Sequence, residues 1–276
     1  MKKQFKIIIS FTVFGLALLI WSFGIEPSLL IQKDIKIPRW QGPNLRIAFF
    51  SDLHAGAPHI NEHYIKNLIL RINALAPDLI LIGGDLVING VVGGKYMPIE
   101  QVASMLKELK APLGCYAVLG NHDWWNNGDK IKEALQKNGI NVLDNNSKLI
   151  PVVPNFNFWL VGIGDEFTGH ANVDFAFSQI NSELDAPKIL FMHDPAALFQ
   201  VKSKFFLTLA GHMHGGQVFI PGIGAIITPG KAPRDWAGGW IDFELGSLFV
   251  SKGIGTSILP VRFNAPPEFV ILDLKN

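Results

Sequence analysis

Cysteine is almost absent: Cys115 is the only one in 276 residues. An intramolecular disulfide is therefore excluded. Cys115 sits in an apolar run, which predicts a buried, inert thiol rather than a nucleophile. An excess of either charge is also missing, with 24 Lys and Arg against 23 Asp and Glu. That balance gives no support for a nucleic-acid partner, which usually brings a basic excess. Charged residues make up only 17% of the chain and the mean hydropathy is +0.27. No internal repeat, low-complexity tract or second domain boundary is visible, and the length suffices for one large core.

Charge is also absent from Ile7 to Ile25, 19 strongly apolar residues preceded by Lys2, Lys3 and Lys6. As a helix this stretch spans roughly 28 Å, close to the hydrocarbon thickness of a bilayer. It has no polar face, which argues against a buried soluble helix. Residues 1–25 therefore read as an uncleaved membrane anchor. The rival is a signal peptide, since Ser22-Phe23-Gly24 resembles a cleavage site, but the bulky Trp21 and the length favour the anchor. The leading lysines put the N-terminus inside and the rest outside, a bias weakened by Lys33, Lys36 and Arg39. Residues 26–44 read as a linker, because Pro27, Pro38 and Pro43 oppose a regular element. Residues 45–276 read as one globular domain.

Within that domain the first half alternates strand and helix. Strands are expected at Leu45–Ser51, Leu79–Ile82 and Cys115–Leu119. A helix follows Asn61, another opens at Pro98, and a short one spans Asp129–Asn138 and stops at Gly139. The second half is richer in strands, with a helix near Val173–Ser182. Residues 221–244 read mostly as loop, long enough to suggest a function. The pattern is that of an α/β layered domain.

Polar residues gather where the expected strands end: Asp52 and His54, Asp85, Asn121 and His122, His193, and His212 and His214. Asp52, His54, Asp85, Asn121, His193, His212 and His214 comprise two carboxylates, one amide and four imidazoles, with no thiolate. Such mixed N/O sets suit Mn, Fe, Zn, Co or Ni rather than a soft metal. In Asp52-x-His54 and His212-x-His214, side chains two apart on an extended backbone point the same way, so each pair reaches one pocket. Seven donors exceed the need of one ion. Two ions about 3.5–4 Å apart would share Asp85 and hold a hydroxide suited to in-line attack on phosphorus.

Taken in order, Asp52-x-His54, Gly84-Asp85, Gly120-Asn121-His122-Asp123, His193 and Gly211-His212-x-His214 resemble the five signatures of the calcineurin-like metallophosphoesterase superfamily. The resemblance covers about residues 45–275. The tails Gly215-Gly216-Gln217 and Pro260-x-Arg262-Phe263 look like its membrane-anchored bacterial branch. The resemblance implies a four-layer α/β sandwich, two mixed sheets flanked by helices. It implies a single-pass protein of the bacterial cytoplasmic membrane and two divalent ions, Mn, Fe or Zn. One ion would be held by Asp52, His54, Asp85 and His214, the other by Asp85, Asn121, His193 and His212. His122 would be catalytic, stabilising phosphoryl oxygens or protonating the leaving group, help of about 10²–10⁴-fold. Some members orient this imidazole with an Asp three positions after the bridging Asp; here Ile88 stands there. Asp123 is a substitute, unless it only fixes its own turn.

The implied partner is a phosphoester, lipid-linked in one reading and then reached at the membrane. The specific activity the resemblance suggests is hydrolysis of the UDP-2,3-diacylglucosamine pyrophosphate in lipid A synthesis, with an extracytoplasmic phosphodiesterase or phosphatase as the alternative. A non-catalytic binding module is disfavoured, since every signature position is filled. Lys231 and Arg234, beside the His212/His214 end, are candidates for holding substrate phosphate. Ile220, Ile223, Ile226, Ile227, Trp236 and Trp240 make the 221–244 segment apolar enough for acyl chains or packing. His59-Ile60-Asn61-Glu62-His63 fits a zinc-peptidase pattern. It is set aside because Asn61 caps a helix, leaving His59 and His63 without a shared face. Gly93-Gly94-Lys95 lacks the rest of a P-loop.

Overall fold

The computed structural model describes residues 2–276. Helix α1 (Lys2–Ile20) continues through a wide turn at Trp21–Ile25 and a tight one at Glu26–Ser28. Among the described residues it is the one helix long and apolar enough to cross a membrane. The chain then forms β1 (Ile31–Ile37), β2 (Leu45–Phe50), α2 (Glu62–Ala74), β3 (Leu79–Ile82) and α3 (Ile99–Leu106). Next come β4 (Cys115–Ala117), α4 (Asn121–Lys137), β5 (Asn141–Val142), β6 (Asn146–Val153) and β7 (Phe156–Ile163). The remainder is α5 (Val173–Ser178), β8 (Lys188–Met192), β9 (Leu207–Ala210), β10 (Phe219–Ile220) and β11 (Gly224–Ala225). β12 (Gly239–Phe243), β13 (Gly246–Val250) and β14 (Glu268–Leu274) complete it.

Two six-stranded sheets carry the core, in the orders β1-β14-β2-β3-β4-β5 and β12-β13-β9-β8-β7-β6. The period of two along each strand explains how they stack. On β2, Ile47 and Phe49 face the second sheet, while Ala48 and Phe50 face the helices. On β3, Leu79 and Leu81 go inward and Ile80 and Ile82 outward. On the second sheet, Ile189 and Phe191 meet the first, and Leu190 and Met192 lie under α5 and the Pro195–Gln200 turn. The result is a four-layer α/β sandwich with three apolar interlayers. Strands buried on both faces read as continuous apolar runs, such as Leu79-Ile80-Leu81-Ile82. β2 to β5 run parallel, as do β7, β8, β9 and β13. Their carboxyl ends supply the polar residues of the next section.

Two expectations are corrected and a third is refined. The stretch 26–44 is not irregular throughout: Ile31–Ile37 is an edge strand paired in parallel with β14. Its prolines lie outside it, so they bound the strand rather than prevent it. The short helix at Asp129–Asn138 is the second segment of α4, which begins at Asn121 and breaks at Asn127 (φ 147°, ψ 86°). Residues 221–244 are mostly turn and loop, as expected, but not wholly so. They hold β11 of a two-stranded ribbon, a short turn of helix at Arg234–Ala237, and β12, which hairpins with β13. Cys115 is buried and its thiol is pushed up to about 11 by that burial.

Candidate metal centre

The structure brings Asp52, His54, Asp85, Asn121, His193, His212 and His214 together between the carboxyl ends of the two sheets, all of them buried. The Asp85 carboxylate is the hub. Its Oδ1 accepts the His122 backbone N–H at 2.8 Å. Its Oδ2 lies 3.1 Å from His54 Nε2 and 3.3 Å from His193 Nε2. On one side stand Asp52, His54 and His214, with His214 Nε2 3.4 Å from Asp52 Oδ1. On the other, His193 Nε2 is 3.1 Å from both Asn121 Oδ1 and His212 Nδ1.

The backbone reaches this convergence by a route other than the extended one expected. Asp52 (φ 53°), His54 (φ 47°), Asp85 (φ 54°), His212 (φ 68°) and His214 (φ 52°) are all left-handed. The chain leaves each strand and curls sharply, which turns consecutive polar groups toward one point. Close packing enforces it: a Cβ on Gly120 would meet Asp85 Oδ1, and one on Gly211 would meet Asp52 Oδ2. Outer contacts fix the imidazoles. His54 Nδ1 is 3.0 Å from the Thr256 carbonyl and His193 Nδ1 is 2.8 Å from that of Gly83. Each Nδ1–H donates to its carbonyl and leaves the Nε2 lone pair aimed inward.

The electrostatics suit a cation. Burial pushes His212 down to about 3 and His122 to about 4, so both rings are neutral at pH 7. Burial, together with His54 and Arg262, also holds His214 well below its usual value. Burial alone would raise Asp85, but His193 and His54 hold its carboxyl well below the usual range. His193 rises well above its ordinary value because Asp85 outweighs its burial. Once His193 gives up its proton, four electron-pair donors, from Asp85, Asn121, His193 and His212, face one another in a buried space. Without a shared proton or cation they repel, and the donor set fits divalent metal.

The comparisons agree with the fold and with this chemistry. A family model described as calcineurin-like phosphoesterase matches residues 45–216. The chain belongs to the calcineurin-like phosphoesterase family. It is a metal-dependent phosphohydrolase. The metallophosphoesterase YkuE of Bacillus subtilis (strain 168) is 31% identical over 84% of this chain and 79% of its own length. The phosphodiesterase YaeI of Escherichia coli (strain K12) is 31% identical over 92% of this chain and 88% of its own. The UDP-2,3-diacylglucosamine pyrophosphatase LpxG of Chlamydia muridarum is 26% identical over 92% of both.

His122 stands half-buried beside the hub, its ring 4.9 Å from that of His54 and 4.9 Å from that of Trp125. Asp123 does not orient it. That carboxylate accepts the backbone N–H of Gly120 at 3.0 Å and of Leu86 at 2.9 Å, capping α4 and tying it to the strand-β3 exit. Ile88, at the position some relatives fill with Asp, is core. Lys231 and Arg234 are both exposed, and Lys231 lies 3.5 Å from Glu166. Trp236 is buried, packed on Phe199 and Phe243, whereas Ile223, Ile226, Ile227 and Trp240 are exposed.

The sequence reading missed four residues of this phosphoesterase's site. Arg262 is buried and donates to the carbonyls of Lys252, Ala265, His214 and Gly255. Its motif was legible, its burial was not. Asp194 lies behind His212: a Cβ on Gly230 would sit 3.2 Å from His212 Nε2 and 3.4 Å from Asp194 Oδ2, both buried and unpartnered. Trp125 and Phe167 stand at the rim. Their only sequence signal was the position of Trp125 three residues after His122.

Proposed function

We propose that this protein is a membrane-anchored phosphodiester or pyrophosphate hydrolase with two divalent ions. The observation that carries the proposal is the Asp85 carboxylate, shared between two opposed groups of donors. Asp52, His54, Asp85 and His214 would hold one ion and Asp85, Asn121, His193 and His212 the other, each Mn, Fe or Zn. When bound, such ions polarise a phosphoryl oxygen and supply an activated water at neutral pH. The protein's own part is positioning. Thr256 and Gly83 fix two imidazoles, Arg262 braces the His214 loop, and the low-dielectric surround strengthens every charge interaction. His122 keeps one N–H when neutral and serves as a hydrogen-bond donor to a phosphoryl or leaving-group oxygen. Lys231 and Arg234 are placed for outer phosphate contacts, Lys231 by exchanging Glu166 for substrate.

Residues 1–25 are the anchor and 45–276 the catalytic domain, with β1 joining the two in space. The specific substrate we propose is UDP-2,3-diacylglucosamine, cleaved at its pyrophosphate to release UMP. The supports are the apolar helix, the exposed isoleucines of 223–227 and the LpxG relative. A second reading, an extracytoplasmic phosphodiesterase, is favoured by the three lysines at the start of α1, since the positive-inside bias would put the catalytic domain outside.

The test combines activity, metal content and side. Asp85→Asn should abolish turnover of bis(p-nitrophenyl) phosphate with the fold intact, by circular dichroism. His122→Ala should lower kcat about 10²–10⁴-fold while elemental analysis still finds near two ions per chain. Loss of the ions from His122→Ala would remove its assigned role. A C-terminal reporter active only outside the cytoplasm would exclude the UDP-lipid, whereas a cytoplasmic result with UMP release from purified enzyme supports it.

A further inference from the structure

Two aromatic side chains stand exposed at the rim of the centre. Trp125 is 61% exposed and Phe167 42% exposed. Single exposed apolar residues are ordinary, but these two are paired and sit on the site. Their rings are 5.9 Å apart at 72°. Trp125 stands edge-to-face with His122 at 4.9 Å. Phe167 lies 5.0 Å from His212. His122 belongs to the group around His54, and His212 to the group around His193. One aromatic wall therefore borders both halves of the metal centre.

The wall is also braced from behind. Trp124 stacks face to face on His170, at 3.7 Å and 4°. His170 Nδ1 donates to the Thr168 hydroxyl at 2.8 Å, and that hydroxyl donates to Asp165 Oδ2 at 2.6 Å. The Thr168 backbone N–H reaches the same oxygen at 2.9 Å. The Asp165 carbonyl in turn accepts the N–H of His170 and of Ala171. This knot holds Phe167, which lies within it, against the first turn of α4, which carries Trp125. Neither the fold's core nor the metal chemistry requires such a knot. A preformed surface for a flat ring does, since rigid placement removes the ordering cost of binding.

We propose that Trp125 and Phe167 form a subsite for a planar ring carried by the phosphorylated group, a nucleobase above all. It rests on the hydrolase reading of the same centre and extends it to substrate choice. Base–aromatic stacking is sequence-tolerant and strong enough for large changes in affinity. A nucleoside phosphate should bind much better than the same phosphate without its base. An alkyl phosphate should not gain as much, since a chain cannot stack.

Calorimetry on the Mn²⁺-loaded full chain, with uridine 5′-monophosphate, ribose 5-phosphate and octyl phosphate as probes, tests this. The expected result is at least tenfold tighter binding of uridine 5′-monophosphate than of ribose 5-phosphate. That ratio should fall toward one in Trp125→Ala and in Phe167→Ala, with inorganic phosphate affinity unchanged. Trp240→Ala, an exposed tryptophan on β12 packed on Phe249, should leave it as it was. Equal affinities in the parent, a ratio indifferent to Trp125→Ala, or octyl phosphate binding as well as the nucleotide would each overturn the subsite. Turnover of bis(p-nitrophenyl) phosphate, measured on the same preparations, reports on the hydrolase reading alone. A protein that hydrolyses it without base preference retains its function and loses the wall.

Discussion

The left-handed backbone at Asp52, His54, Asp85, His212 and His214 is a cost borne by residues that do not favour it. Each such non-glycine position is worth about 1–2 kcal/mol against folding. The consequence is measurable at His212. His212→Ala and His212→Gly both delete the ring and leave similar space, but only glycine adopts φ 68° without strain. In metal-free protein the Gly variant should be more stable than the Ala variant by about 1 kcal/mol. Urea unfolding measures it, and an Ala variant equal or superior would show the backbone there to be unstrained. The identity of the seven donors was legible in the sequence because short signatures keep ligand types and spacing together. Their backbone was not. Asp-x-His reads as extended by periodicity, and nothing in the spacing reveals that close packing at Gly120 and Gly211 forces the curl. Phe167 was illegible for another reason: it reaches the site only through tertiary contact, whereas Asp194 follows His193 directly and only its buried, unpartnered oxygen was hidden.

Among the elements, α4 shows where local signals mislead. Asn126-Asn127-Gly128 has the composition of a turn, so the sequence places the helix start after it. In the structure the break is real but the helix resumes across it. Asn127 Oδ1 accepts the Lys130 N–H at 3.1 Å and re-caps the second segment. Gly128 is the permissive residue there, because a Cβ would sit 2.2 Å from the Trp124 ring. Gly128→Ala should therefore destabilise by about 1–3 kcal/mol and disturb the Trp124–His170 stack. Near-ultraviolet circular dichroism and thermal melting measure the two effects, and an unchanged aromatic signal would contradict the packing. β12 was hidden in the 221–244 segment by its glycine-rich flank, and β1 by the prolines around it. Both are sheet-edge strands, whose sequences need only one buried face. The buried strands β3 (Leu79–Ile82) and β8, and β2 apart from Arg46, by contrast, were plain from their apolar runs, Lys188 merely opening β8.

At the scale of the whole molecule, α1 does not end in a free tether. Ser22 and Glu26 are buried where the helix meets the catalytic domain. The Ser22 carbonyl accepts the Arg262 N–H at 2.9 Å, and Glu26 accepts from Ala265 at 2.7 Å and from Trp21 Nε1 at 2.6 Å. Arg262 thus touches the base of the helix through its backbone and the His214 loop through its guanidinium. Arg262→Met removes a buried fan of donors and leaves several carbonyls unpaired. It should lower stability by about 3 kcal/mol or more and weaken metal retention through His214. Melting with and without EDTA separates the two. A variant whose loss of stability is equal in both conditions would show Arg262 to be a structural brace without influence on the centre.

The place of β14 in the first sheet has a further bearing, on how the protein is made. β14 lies between β1 and β2, parallel to one and antiparallel to the other. Ile31 therefore waits for Glu268, and β1 and β2 emerge from the ribosome long before the strand that joins them. Until residues 268–274 are translated, each exposes an unpaired edge, the condition in which sheet proteins aggregate or recruit chaperones. Closure of the sheet is then a late, long-range event, and the fold that holds the donors together is complete only once residues 268–274 have been made.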